Sequence, residues 1–169
     1  MQNSEIFGNI LRFIVLGLVQ VLVLNHINFL GYINPYIYLL FILIYPINGN
    51  KALLILLSFL LGLTIDIFGD SGGVHAAASV FIAFIRPIVL KFAFGVSYEY
   101  NMVKINKVPL AERLVYITVL VFIHHFVLFS LEIFSLSHIL LILKSTLFSG
   151  IFSTIVIMCT LLLFSRKSS

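Results

Sequence analysis

Leu53-Leu54-Ile55-Leu56-Leu57-Ser58-Phe59-Leu60-Leu61-Gly62-Leu63 is an almost unbroken apolar run. Ile151–Phe164 reads the same way. A membrane-spanning β-strand would alternate apolar and polar residues, whereas these runs are continuous, so both are helices. A helix crossing the hydrocarbon core needs about 20 mostly apolar residues. Working outward, that length fits spans near 9–29, 33–47, 51–68, 73–95, 114–134 and 143–164. The second is short and bracketed by Pro35 and Pro46, and residues 135–142 are expected along the surface before the last span.

Composition agrees. Of 169 residues, 62% are hydrophobic and 9% charged, where a soluble domain has about 45–50% and about 25%. A soluble fold of this size could not hide so much apolar surface, which excludes a nucleic-acid binder, a disordered chain and a soluble secreted enzyme. Six spans leave only about 49 residues for connections, by the same length rule. The expectation is one all-α integral membrane domain over 1–169, with function confined to the bundle and its short loops.

Basic residues orient the bundle. With both termini cytoplasmic, that side holds Arg12, Lys51, Lys91, Lys104, Lys107, Arg113, Arg166 and Lys167, and the outer side only Lys144. This is a strong positive-inside bias. Tyr32 and Tyr36 then fall at the outer end of the second span, and Tyr45, Tyr98, Tyr100 and Tyr116 at inner ends, as an interfacial belt in a chain without Trp. The first run, Phe13–Leu24, ends in Asn25-His26-Ile27-Asn28 with no small-residue cleavage site, and reads as a span rather than a signal peptide. The longest connection, 96–113, sets Lys104, Lys107 and Arg113 against Glu99 and Glu112. It is either a positive stop signal or a dock for a cytoplasmic partner or anionic lipid.

Polar residues inside the spans need reasons, because a charge at mid-helix costs about 2.5–3.5 kcal/mol on insertion scales. Arg86 precedes Pro87, which removes a helix hydrogen bond. Arg86 is either a structural residue beside that kink or part of an internal polar site. Asp66 closes the third span, and Asp70, Ser71, Gly72, Gly73 and His75 turn into the fourth. They form either an outer polar cluster facing a cavity or partner, or a tight turn capped by Asp70 or Ser71. His124 and His125 point about 100° apart on a helix, so one is expected to face the bundle and bond a neighbour. With no HExxH pattern and no carboxylate one turn away, no metal site is read. Cys159, the single cysteine, excludes an internal disulfide and a CxxC site. In the last span Ser145, Ser149 and Ser153, with Thr146, Gly150 and Thr154, give small-xxx-small spacing, which serves close helix packing.

Gly69-Asp70-Ser71-Gly72-Gly73 spells the nucleophile signature of chymotrypsin-like proteases, whose triad is built on β-barrels. In this helical chain the match is accidental. Ser71 with His124 also faintly resembles the rhomboid intramembrane proteases, but His124 falls near mid-membrane and Ser71 at the surface. A nucleophile needs its base within about 2.6–3.2 Å.

A stronger resemblance lies in two stretches. Pro35-Tyr36-Ile37-Tyr38-Leu39-Leu40 runs to Tyr45-Pro46, and Gly62-Leu63-Thr64-Ile65-Asp66 is followed by Gly73-Val74-His75-Ala76. Together they resemble the rod shape-determining MreD family, with its Pro-led second helix, Gly-Leu-x-x-Asp and Gly-hydrophobic-His-Ala. Ser71-Gly72 stands where the family usually carries a Pro. The resemblance implies a non-enzymatic scaffold of cell elongation in the bacterial inner membrane, without cofactor or metal. It implies MreC as partner, with MreB, RodA and a class B penicillin-binding protein, and no nucleic acid. It also implies a bundle similar to the substrate-binding subunits of energy-coupling-factor (ECF) vitamin transporters, which supply the alternative reading of a vitamin-capture subunit. Gly62, Asp66, Asp70, Gly73, His75, Arg86 and Pro87 are the candidate partner-binding residues, with Asp66 and His75 orienting an outer-face site for MreC.

Overall fold

A computed structural model describes residues 2–27, 33–95, 105 and 108–165. Helix α1 covers Gln2–Leu22 and is extended by a 3-10 turn at Leu24–His26. A six-residue helix α2, Leu39–Ile44, follows. Helices α3 (Lys51–Gly69), α4 (Val74–Phe94), α5 (Leu110–Ile133) and α6 (Ile139–Ser165) complete the bundle. Each of α3, α4, α5 and α6 packs on the next in chain order, α1 covers α3, and α2 is enclosed by α1, α4 and α5.

Five of these segments are long and apolar enough to cross a membrane: Phe7–His26, Lys51–Gly69, Val74–Phe94, Leu110–Ile133 and Ile139–Leu163. Their outward faces are apolar too. On α4, Phe84, Ile88 and Phe92 form an exposed stripe at i, i+4 and i+8, while Arg86 and Leu90 turn inward. On α1, Phe7, Ile10, Leu11, Ile14, Leu18 and Leu22 are similarly exposed. So large an apolar surface is unsuited to water and matched to lipid. The chain has the all-helical form of a multi-pass membrane protein.

Two expectations need correction. The last helix begins at Ile139, after a 3-10 turn at Leu136–His138, so 139–142 belong to it and not to a surface stretch. The second segment is not a continuous helix over 33–47. Residues 33–36 lack helical structure, tight turns follow (Leu40 N–H to Ile37 O, 2.9 Å; Phe41 N–H to Tyr38 O, 3.1 Å), and only 39–44 are α-helical. Pro35 and Pro46 withhold two backbone donors, and a residue before Pro is pushed towards extended backbone.

The segment is nonetheless the heart of the core. Tyr38, Leu39, Phe41, Ile42 and Leu43 are all buried. Tyr38 meets His75 near the start of α4, and Tyr45 meets Arg86, 11 residues further along. At 1.5 Å per residue that is about 16 Å of α4, followed in the same chain direction. Non-helical backbone survives at membrane depth only when buried in protein with its polar groups paired, and the pairing is visible here. The Gln20 amide, fully buried on α1, accepts from Ile37 N–H (2.8 Å) and donates to Pro35 O (3.2 Å) and Asn25 Oδ1 (2.9 Å). Ser153 Oγ on α6 accepts from Tyr36 N–H at 2.9 Å.

Candidate functional site

The 62–76 hairpin is a clamp between α3 and α4. A Cβ on Gly62 would lie 2.6 Å from Ala76 Cα and 2.6 Å from His75 O, so the two backbones touch there. One helical turn later on the same face, Asp66 reaches the first turn of α4. Its Oδ1 accepts from His75 N–H (3.0 Å) and Ser71 O–H (2.5 Å), and its Oδ2 accepts from Ala76 N–H (2.8 Å). The carboxylate therefore caps the exposed donors and positive dipole end of α4 from the neighbouring helix.

This corrects the expected cap. Asp70 is instead the left-handed C-cap of α3 (φ 50°), and Ser71 serves Asp66. Gly72 (φ 68°) and Gly73 (φ 95°) occupy the left-handed region, where a side chain would be strained. Asp66 and His75 are buried, with the polar atoms that bond the clamp turned inward. Asp70, Ile67 and Phe68 form the exposed rim of the same turn.

His75 continues the clamp into the core. Its Nδ1 lies 3.0 Å from the Tyr38 hydroxyl, which lies 2.8 Å from His124 Nε2. One hydroxyl has one proton, so Tyr38 donates to one ring and accepts from the other. His124 Nδ1 is buried without a partner. A bare acceptor is tolerated there better than an orphaned N–H. The order is therefore His124 Nε2–H to Tyr38 oxygen, and Tyr38 O–H to His75 Nδ1.

His125 points elsewhere. Its Nδ1–H donates to Val121 O (2.7 Å), which leaves Nε2 to accept from Ser153 O–H (3.0 Å). Both histidines are fully buried and both are bonded, where only one was expected inside. Among the described residues no group of three His, Cys, Asp or Glu side chains could hold a metal ion. Ser71 and His124 are not paired with each other: the hydroxyl is committed to Asp66 and the imidazole to Tyr38.

Arg86 lies at the other end of α4 and is 3% exposed. Its Nε donates to Tyr116 O–H (2.9 Å), and its Nη2 to Leu43 O (3.3 Å) and Tyr45 O. Tyr116 also donates to Leu43 O at 3.0 Å. Leu43 and Tyr45 end α2, and Pro46 has no N–H with which to continue it, so Arg86 closes that helix end in place of backbone. Both alternatives for Arg86 thus meet in one residue: it is structural, and it lies in an internal polar site. Pro87 follows within an uninterrupted α4.

Tyr36, Tyr45 and Tyr116 are buried in these networks and do not form an interfacial belt. Tyr32, Tyr98 and Tyr100, with Lys104, Lys107 and Glu99, lie outside the described residues, and so does most of the expected 96–113 dock. The stripe of Ser145, Thr146, Ser149, Ser153 and Thr154 is buried within the bundle, and a Cβ on Gly150 would touch the Phe122 ring at 3.3 Å. Sequence reasoning missed Gln20, Tyr38 and Tyr116 as network residues. A lone amide in an apolar first span was the available signal for Gln20. No protein-family model matches this chain, and no curated protein or solved structure matches it.

Proposed function

We propose that the chain is a non-enzymatic membrane scaffold of the MreD type, serving bacterial cell elongation by binding MreC. It would link MreB to the peptidoglycan synthases RodA and a class B penicillin-binding protein in the inner membrane. The observation that carries this reading is the clamp. The residues of the resemblance, Gly62, Asp66, Gly73, His75 and Ala76, make up one connected unit of backbone contact and hydrogen bonds. Each residue type has a physical reason there.

The clamp bears on the partner site through shape. Because Asp66 and His75 are occupied inside, they would orient an MreC site by fixing the turn whose rim carries Ile67, Phe68 and Asp70. Membrane helices associate by close packing and shared hydrogen bonds, and a rigid turn suits that use. Affinity purification of the tagged chain from native membranes in mild detergent tests the reading. Enrichment of MreC with the elongation polymerase is the expected result. Recovery of ATP-hydrolysing transporter subunits without shape proteins would overturn it in favour of the vitamin-capture alternative.

A further inference from the structure

A cavity of about 390 Å³ opens at the Lys51 end of the bundle, between the 45–49 turn, the start of α3 and the second half of α4. Its volume falls in the range of small-molecule sites, about 300–1,000 Å³. Its wall is divided. Asn48, Lys51 and Arg86 supply polar and cationic groups, while Leu54, Ala83 and Leu90 are apolar.

Arg86 makes the cavity unusual. Its three protein acceptors are two backbone carbonyls and a tyrosine hydroxyl, all neutral. The third guanidinium nitrogen, Nη1, has no acceptor among the described residues, and the side chain lines the cavity. Asp66, Asp70 and Glu132 belong to the opposite end of the bundle, at the C-termini of α3 and α5. Glu112, in the first turn of α5, is exposed and does not line the cavity. Among the described residues no carboxylate pairs with Arg86, and a buried cation is costly unless an anion can reach it. Lys51 adds a second charge at the same opening and stands at the positive N-terminal end of α3, a 19-residue helix.

We propose that this cavity binds a net-anionic phosphate group, one not neutralised by a cation on the same headgroup, with the Arg86 guanidinium and Lys51 ammonium as its two cationic contacts. The planar fork of arginine suits a phosphate oxygen pair. The apolar wall beside it suits a phosphate carried on a lipid, and the opening lies where an apolar span begins. This inference does not depend on the scaffold reading.

The test uses the full chain in neutral detergent, with thermal unfolding measured against added phosphatidylglycerol, phosphatidylcholine or inorganic phosphate. Phosphatidylglycerol is expected to raise the midpoint and phosphatidylcholine to leave it unchanged. A midpoint raised by inorganic phosphate alone would assign the same site to a soluble phosphate. Lys51→Glu is expected to weaken phosphatidylglycerol about tenfold, while Lys91→Glu, an equal charge change at an exposed residue outside the cavity, leaves it intact. Arg86→Gln is expected to abolish the effect. If that variant fails to fold, because Arg86 also closes α2, the exposed Lys51 decides. Three results would each overturn the proposal: no stabilisation by either phosphate source, equal stabilisation by phosphatidylcholine, or equal loss in Lys51→Glu and Lys91→Glu.

Discussion

Gly62 and Ala76 meet backbone to backbone, with no room between α3 and α4 for a β-carbon at position 62. Gly62→Ala should therefore destabilise the chain by about 1–3 kcal/mol, the usual cost of overpacking. The substitution forces apart two helices that Asp66 holds together. Gly8 has open space around it. Gly8→Ala should be neutral or stabilising by up to about 1 kcal/mol, since alanine is the better helix former. Thermal unfolding of both variants in detergent checks the contrast, and equal midpoints would mean that the contact is absent.

Asp66 is specific for its charge and length. Asp66→Asn keeps the shape but offers one acceptor oxygen in place of two, and sets an amide donor against either Ala76 N–H or the His75 and Ser71 donors. A loss of about 1–3 kcal/mol is expected, the cost of a buried hydrogen-bonding group left without its partner. Hydrogen exchange at the His75 and Ala76 amides should accelerate in the variant. Unchanged exchange would show that the carboxylate does not cap α4.

Tyr38→Phe removes the hydroxyl that joins His75 to His124, and Tyr116→Phe removes the one that joins Arg86 to Leu43. Each should cost about 1–3 kcal/mol. The two networks are separated by about 16 Å along α4, beyond the range at which mutational effects usually couple. The double variant should therefore show the sum of the single effects in denaturant titrations. A large coupling energy would reveal one cooperative network running through α2.

Gln20→Leu strips the donors and acceptor that serve the non-helical backbone at 35–37. Gln20→Glu keeps the acceptor for Ile37 N–H but loses the donors. An Ile37→Cys reporter, at a position buried in the parent chain, can be followed by maleimide labelling. Labelling should be fastest in the Gln20→Leu background, slower in Gln20→Glu and slowest where Gln20 is kept. Identical rates in all three would mean that the amide does not hold this segment.

Long apolar runs made α3 and α4 legible to within about one residue, because a lipid-facing helix advertises its length and its ends. The second segment was not legible as a broken element. A short apolar run reads alike as strand or buried helix, and what decides its shape is a glutamine 17 residues earlier and a serine 117 residues later. The hairpin motif was legible by resemblance, yet Asp66 as a cap from the neighbouring helix was not, since local spacing favoured Asp70 and Ser71. The tyrosines misled because a membrane chain without Trp suggests a belt. Tyr116 instead turns its hydroxyl inward to Arg86, while Tyr36 and Tyr45 are buried and join the internal networks through a backbone N–H and a backbone carbonyl.

The reliance of Tyr36 N–H on Ser153 also sets an order of events during biogenesis. Residues 33–38 emerge from the ribosome long before α6 exists, and an unpaired backbone donor in hydrocarbon costs several kcal/mol. Until the final helix arrives, that donor needs a stand-in partner, such as water, a lipid headgroup or the translocation machinery. Ser153 supplies the lasting partner only once the last helix has packed.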